Sequence, residues 1–174
     1  MFWLIIILLI ITVYAFFFLA QFYNIILNRV PFIATNKEII GKIISELEIS
    51  EQAIVYELGC GQALFLRLFE KNFPKAKLTG IENLFLVCLF DKIKFKLLGS
   101  KIKILNGDLF KLDFKDADLI YCYLGGMIMK KLEDKLRQEC KKGTQIVSCV
   151  FTLPNFTPKK VMTVSNKKIY FYEI

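Results

Sequence analysis

Residues 54–63 read IVYELGCGQA: an apolar run that ends in an acid and is followed by small residues at alternating positions, Gly59, Gly61 and Ala63. A short apolar run bounded by glycines has the pattern of a buried strand, and the glycines mark a turn whose backbone must bend sharply or come close to something. The stretch ALFLRLFEKNF (63–73) then carries apolar residues at helical spacing and stops before Pro74. KLTGIE (77–82) supplies a second strand. Two strands joined through a helix must run parallel with a right-handed crossover, which places the chain among the α/β folds.

The alternation continues in both directions. LFLVCLFDKIKFKLLG (84–99) reads as a helix ended by Gly99, KIKILNGD (101–108) as a third strand and DLIYCYL (118–124) as a fourth. MIMKKLEDKLRQECKK (127–142) is a helix closed by Gly143, and TQIVSCVF (144–151) is a fifth strand. Upstream, KEIIGKIISEL sets Ile39, Ile40, Ile43, Ile44 and Leu47 on one helical face, with Asn36 as its N-cap. KKVMTVSN and KKIYFYEI (159–174) are two strands with only a short turn between them, so they pair antiparallel. The expected architecture is a doubly wound, mostly parallel seven-stranded sheet with a C-terminal antiparallel hairpin.

The first twenty residues, MFWLIIILLIITVYAFFFLA, belong to something else. Phe2 to Ala20 contains no charge, and the stretch extended through Leu27 is long enough to cross a bilayer. A cleaved secretory signal would show a basic start, a shorter apolar stretch and a small-residue cleavage site, and none of these is present. The expected organisation is a transmembrane anchor over 1–27, a linker over 28–35 in which Pro31 breaks helical continuity, and one domain over 36–174. Arg29, Lys37 and Lys42 flank the span, so the C-terminal domain is expected on the cytoplasmic side of a single-pass membrane protein.

Charge and composition narrow the chemistry. The formal charge of +8 favours the anionic surface of a bilayer as a partner. The bases are scattered among acids instead of forming an Arg-rich stripe, so no nucleic-acid partner is expected. Cys60, Cys88, Cys122, Cys140 and Cys149 form no CxxC pair, and the chain has no histidine. Disulfide scaffolds, zinc or other metal sites and histidine-dependent triads are thereby disfavoured.

In a doubly wound sheet the ligand lies beyond the carboxyl ends of the strands, beside the first one. The glycine turn stands there, but its spacing is GxGxA and not the GxGxxG of a pyrophosphate-binding turn. Glu82 closes the second strand 25 residues after Glu57, a place from which a carboxylate can accept both hydroxyls of a ribose. Asp108 ends the third strand within NGDLF, in reach of a base edge. Each acid alone is an ordinary strand end. Three of them closing successive strands behind one glycine turn form a pattern.

VYELGCGQA, GIEN and NGDLF, together with the terminal hairpin, resemble the class I, seven-stranded S-adenosylmethionine-dependent methyltransferases over roughly residues 36–174. With the N-terminal anchor, VPFIATN, YLGGMIMKKLEDKL and VSCVFTLPNFTP, the chain is similar to the membrane-anchored protein-lysine methyltransferases that modify adenine nucleotide translocase and the ATP-synthase c subunit. Two departures stand out: Ala63 replaces a glycine, and IAT replaces a proline-bearing run after Pro31-Phe32. The resemblance implies S-adenosyl-L-methionine as cofactor. It implies that Glu57, Gly59, Cys60 and Gly61 surround the methionine moiety, that Glu82 and Asn83 meet the ribose, and that Asp108 and Leu109 meet the adenine. Pro31 to Thr35 would close over the cofactor. Tyr121 and Tyr123, at the end of the fourth strand, would line the acceptor channel.

Cys60 reads as filler of the turn and not as a nucleophile, because nothing nearby would activate it. Methyl transfer from a sulfonium is a direct in-line displacement, for which alignment supplies much of the acceleration. A lysine acceptor loses its proton on desolvation beside a cation, so no histidine base is required. The implied acceptor is a lysine of a membrane protein. A lipid or small-molecule acceptor, or a non-catalytic membrane-bound interaction module, is the alternative.

Overall fold

The structure, a computed structural model, describes residues 2–26 and 35–174, which divide after residue 33 into two units. The first unit is one helix, α1 (Phe2–Ile26), without a charged residue. Its first 19 residues, Phe2–Ala20, have a mean hydropathy of 2.9 and bury nothing against protein. At 1.5 Å per residue they extend about 28 Å, close to the thickness of a bilayer core. Thr12 returns its hydroxyl to the Leu9 carbonyl at 2.9 Å, so even its polar group is satisfied within the helix. Most of the expected linker, Pro31 included, lies outside the described residues.

The second unit runs α2 (Lys37–Ser45), β1 (Ile54–Leu58), α3 (Leu64–Asn72), β2 (Lys77–Glu82), α4 (Phe85–Leu97), β3 (Lys103–Asn106), a 3-10 turn (Leu109–Lys111), β4 (Leu119–Cys122), α5 (Gly126–Glu139), β5 (Gln145–Cys149), β6 (Lys160–Val164) and β7 (Lys167–Glu173). The seven strands form one sheet in the order β3-β2-β1-β4-β5-β7-β6. β1 to β5 are parallel, and β7 pairs antiparallel with both β5 and β6. The hairpin therefore enters with its second strand, leaving β6 at the rim. This is the expected architecture, with Asn36 capping α2 by accepting from the Glu38 N–H at 3.1 Å.

β3 and β4 are shorter than their apolar runs. The Gly107 N–H makes the last bond of the β2–β3 ladder, to the Glu82 carbonyl at 3.0 Å, and Tyr123 and Leu124 lie past the last paired residue of β4. One apolar cluster includes Ile40, Phe65, Phe69, Cys88 and Phe95, from α2, α3 and α4. A second includes Met129, Leu132 and Leu136 of α5 with Phe114, Ile120 and Ile146. Parallel strands buried on both faces in this way read as continuous apolar runs instead of alternating ones.

Gly80 shows how closely the glycine turn is packed on the sheet. A Cβ at Gly80 would stand 2.7 Å from the Cys60 Sγ and 2.9 Å from Ile104 Cδ1. Gly80→Ala is expected to cost about 1–3 kcal/mol in thermal unfolding, and adding Cys60→Ala is expected to recover part of that loss. Equal losses in the single and double variants would refute this account of the contact.

Candidate active site

Strand register puts the site residues on one edge. Ile81, Leu58, Cys122 and Ser148 share a row across the parallel strands, so the next positions, Glu82, Gly59, Tyr123 and Cys149, share the row at the carboxyl ends. The turn after β1 holds left-handed backbone at Gly59 (φ 65°), Gly61 (φ 51°) and Ala63 (φ 50°). A Cβ on Gly59 would lie 2.7 Å from Leu124 Cδ2, so this glycine also lets the turn after β4 close in beside it. Ala63 takes the same hand without a glycine's freedom, a strained choice for a residue that is fully buried.

Glu82 fastens the edge. One carboxylate oxygen accepts from the Gly61 N–H at 3.1 Å and the other from the Leu84 N–H at 3.0 Å. Its carbonyl receives the Asn106 side-chain amide at 3.0 Å and the Gly107 N–H at 3.0 Å. A carboxylate offers about four acceptor positions, so two remain for the vicinal hydroxyls of a ribose. The residues present thus fit the nucleoside that the sequence motifs imply. Asn83 is exposed beside it. Asp108 is exposed and accepts from the Phe110 N–H at 3.0 Å, capping the short turn that begins at the half-buried Leu109.

Glu57 stands behind the turn. Its carboxylate accepts from the Leu66 N–H at 3.2 Å, at the start of α3, and is 6% exposed. Burial pushes its pKa up to about 8, against the pull of the α3 backbone donors at Leu66 and Phe65. The Cys60 side chain is turned down onto Gly80, and burial raises its thiol far above the ordinary range, so the group is inert. The Cys60 N–H is held by the Ile81 carbonyl at 3.0 Å.

The two tyrosines part company. Tyr121 is 2% exposed, stacks on Phe65 with centroids 4.1 Å apart, and shares a 2.7 Å hydroxyl contact with Thr35. Burial raises its phenol well above the usual value. Tyr123 is half-buried at the rim, with Phe151 at 6.4 Å and the Lys167 ammonium 5.1 Å from its ring centroid. Beside it Val150 has φ 73°, and the Phe151 N–H bonds the Cys149 carbonyl at 3.0 Å, a three-residue turn of the strained hand. A β-branched residue held that way is a strain that clusters at functional sites. Sequence reading did not find Lys167. It also passed over Asp91, an acid on the buried face of α4 that pairs with Lys94 at 2.5 Å.

An RNA methyltransferase of Salinibacter ruber, solved with S-adenosyl-L-homocysteine, superposes with a TM-score of 0.76 at 22% identity, over 82% of this chain and 94% of that one. The fold is thus that of the Rossmann-like, S-adenosylmethionine-dependent methyltransferases. Within that class, the chain belongs to the ANTKMT methyltransferase domain family, which it matches over residues 57–160. A protein-lysine N-methyltransferase of Saccharolobus islandicus is 28% identical over 152 residues, covering 84% of this chain and 94% of that protein. A carboxy-S-adenosyl-L-methionine synthase of Campylobacter jejuni is also 28% identical, over 87% of this chain and 60% of its own length.

Proposed function

We propose that the domain transfers a methyl group from S-adenosylmethionine to the side-chain amine of a lysine in a membrane protein. The observation that carries the acceptor is the rim at Tyr123, where the face of an aromatic ring already receives the Lys167 ammonium, on the same strand edge as Glu82 and the glycine turn. Likeness to the Saccharolobus islandicus lysine methyltransferase supports the same reading.

S-adenosylmethionine supplies an electrophilic methyl whose leaving group is a neutral thioether. In this reading Glu82 takes the ribose hydroxyls, Asp108 and Leu109 bound the adenine, and the turn at Gly59 and Gly61 admits the methionine part by its backbone. Tyr123 and Phe151 desolvate the acceptor ammonium, and the Lys167 charge beside them favours its neutral form. The amine lone pair then forms the new C–N bond as the C–S bond breaks, and the released proton goes to solvent. No covalent enzyme intermediate is involved.

Tethering gives the substrate class. α1, with Arg29, Lys37 and Lys42 after it, supports a retained single-pass anchor with the domain on the cytoplasmic side. A domain held there meets membrane proteins at high effective concentration. Radiolabelled S-adenosylmethionine incubated with native membranes is expected to label protein, and a Glu82→Ala, Asp108→Ala variant is expected to label none. Mass spectrometry of the labelled band identifies the acceptor residue. The likeness to carboxy-S-adenosyl-L-methionine synthases motivates a second reading, in which a small molecule takes part. Label confined to the low-molecular-mass fraction would establish that one instead.

A further inference from the structure

Helix α4 inverts the usual polarity of a helix packed on a sheet. The side it gives the sheet carries Cys88, Asp91 and Phe95, all buried. Phe85, Leu86, Leu89, Phe90, Ile93 and Leu97 point outwards and are 41% to 82% exposed. At 3.6 residues per turn these six fall on one arc of about 140°. Lys92 is exposed just beyond one border of that arc and Lys96 just inside it, between Phe85 and Leu89. Lys94 marks the other border, its ammonium paired with Asp91. A protein surrounded by water rarely keeps an apolar face of this size, edged by lysines, and where one exists it marks a contact.

We propose that α4 lies in the head-group boundary of an anionic bilayer, with the six apolar side chains in the acyl region and Lys92 and Lys96 on lipid phosphates. The proposal rests on the anchored reading above and adds a second membrane contact to it. Charge chooses the occupant. The single acid of α4, Asp91, is buried and paired, so the exposed borders are wholly basic on a chain of formal charge +8. A second copy laid on this face would set lysines against lysines, whereas anionic head groups match both the apolar arc and its rims. The helix, 13 residues or about 20 Å long, fits the plane of the interface. Phe85 begins three residues after Glu82, so this contact holds the ligand edge of the domain near the head groups.

Trp3 is the sole tryptophan, which makes a fluorescence test clean. The full chain is reconstituted into phosphatidylcholine vesicles containing phosphatidylglycerol, with acyl chains brominated near the head group. The proteins compared are the parent, Trp3→Phe, Phe90→Trp and Val161→Trp in the Trp3→Phe background, and Lys92→Glu with Lys96→Glu added to the Phe90→Trp protein. Val161 is exposed on β6, at the sheet edge opposite β3. Emission of the Phe90→Trp protein is expected to be quenched at least about threefold more than that of the Val161→Trp protein. Lys92→Glu with Lys96→Glu is expected to reduce that quenching only when phosphatidylglycerol is present. Quenching of the parent, through Trp3, without quenching of the Phe90→Trp protein would overturn the α4 contact and leave the anchor standing. Absence of quenching in both would overturn the anchor and the α4 contact together. Copies cross-linked through position 90, with the indole of the Phe90→Trp protein shielded from brominated lipid, would assign the face to self-association and overturn the proposal.

Discussion

Glu82→Ala is expected to weaken S-adenosylmethionine binding by roughly 10²–10⁴-fold, measured by titration calorimetry on the full chain in detergent. The size follows from what the carboxylate does. Two hydrogen bonds from ribose hydroxyls to a charged acceptor contribute about 1.5–3 kcal/mol each, and every 1.4 kcal/mol is a factor of ten. The substitution also frees the Gly61 and Leu84 N–H groups, which loosens the turn that must approach the cofactor. Glu82→Gln keeps one carbonyl acceptor and is expected to lose less. Asp108 is exposed and serves mainly as a turn cap, so Asp108→Ala is expected to lose about tenfold, in line with one weaker contact. A folded Glu82→Ala variant that bound the cofactor as the parent does would remove Glu82 from the site and, with it, the ribose reading of this edge.

The order of strands and helices was legible because Gly59, Gly61, Pro74, Gly99 and Gly143 fall between elements and the apolar spacing changes between strand and helix. The edge that carries Glu82 and the glycine turn was legible for the same reason, since a parallel sheet puts every first turn at one end. Which tyrosine faces outwards was not. All four residues of β4 are buried, so the alternation that normally separates the two sides of a strand carries no signal there. Lys167 was hidden by topology: it meets Tyr123 because β7 inserts beside β5, and residues 159–174 fit a hairpin in either order. α4 misled for a different reason. Residues 84–99 are apolar on most sides, and the side that is buried carries the aspartate, so hydrophobic spacing alone points to no particular face. Thr35 closes on Tyr121, a contact between residues 86 positions apart that no local pattern announces.

Glu57 carries the other large expectation. Its carboxyl titrates near 8 in the folded chain against an ordinary 4.5, because burial outweighs the α3 donors. Between those values the folded state holds a proton that the unfolded state has released. Its contribution to stability therefore falls as pH rises from about 4.5 to about 8, by up to roughly 4–5 kcal/mol, and is level above that. The chain has no histidine, and burial lifts the thiols of Cys60, Cys122, Cys140 and Cys149 well clear of the same window, so the slope there belongs chiefly to this one carboxyl. Glu57→Gln keeps an oxygen for the Leu66 N–H and carries no charge at any pH. Denaturant unfolding at pH 5, 6, 7 and 8 is expected to show the parent losing stability steadily while the variant stays nearly level, the two converging at pH 5. Parallel profiles would mean that Glu57 is ionised in the folded chain. The α3 N–H groups would then outweigh burial, and the carboxylate would present a full negative charge behind the glycine turn, where the sulfonium is proposed to bind.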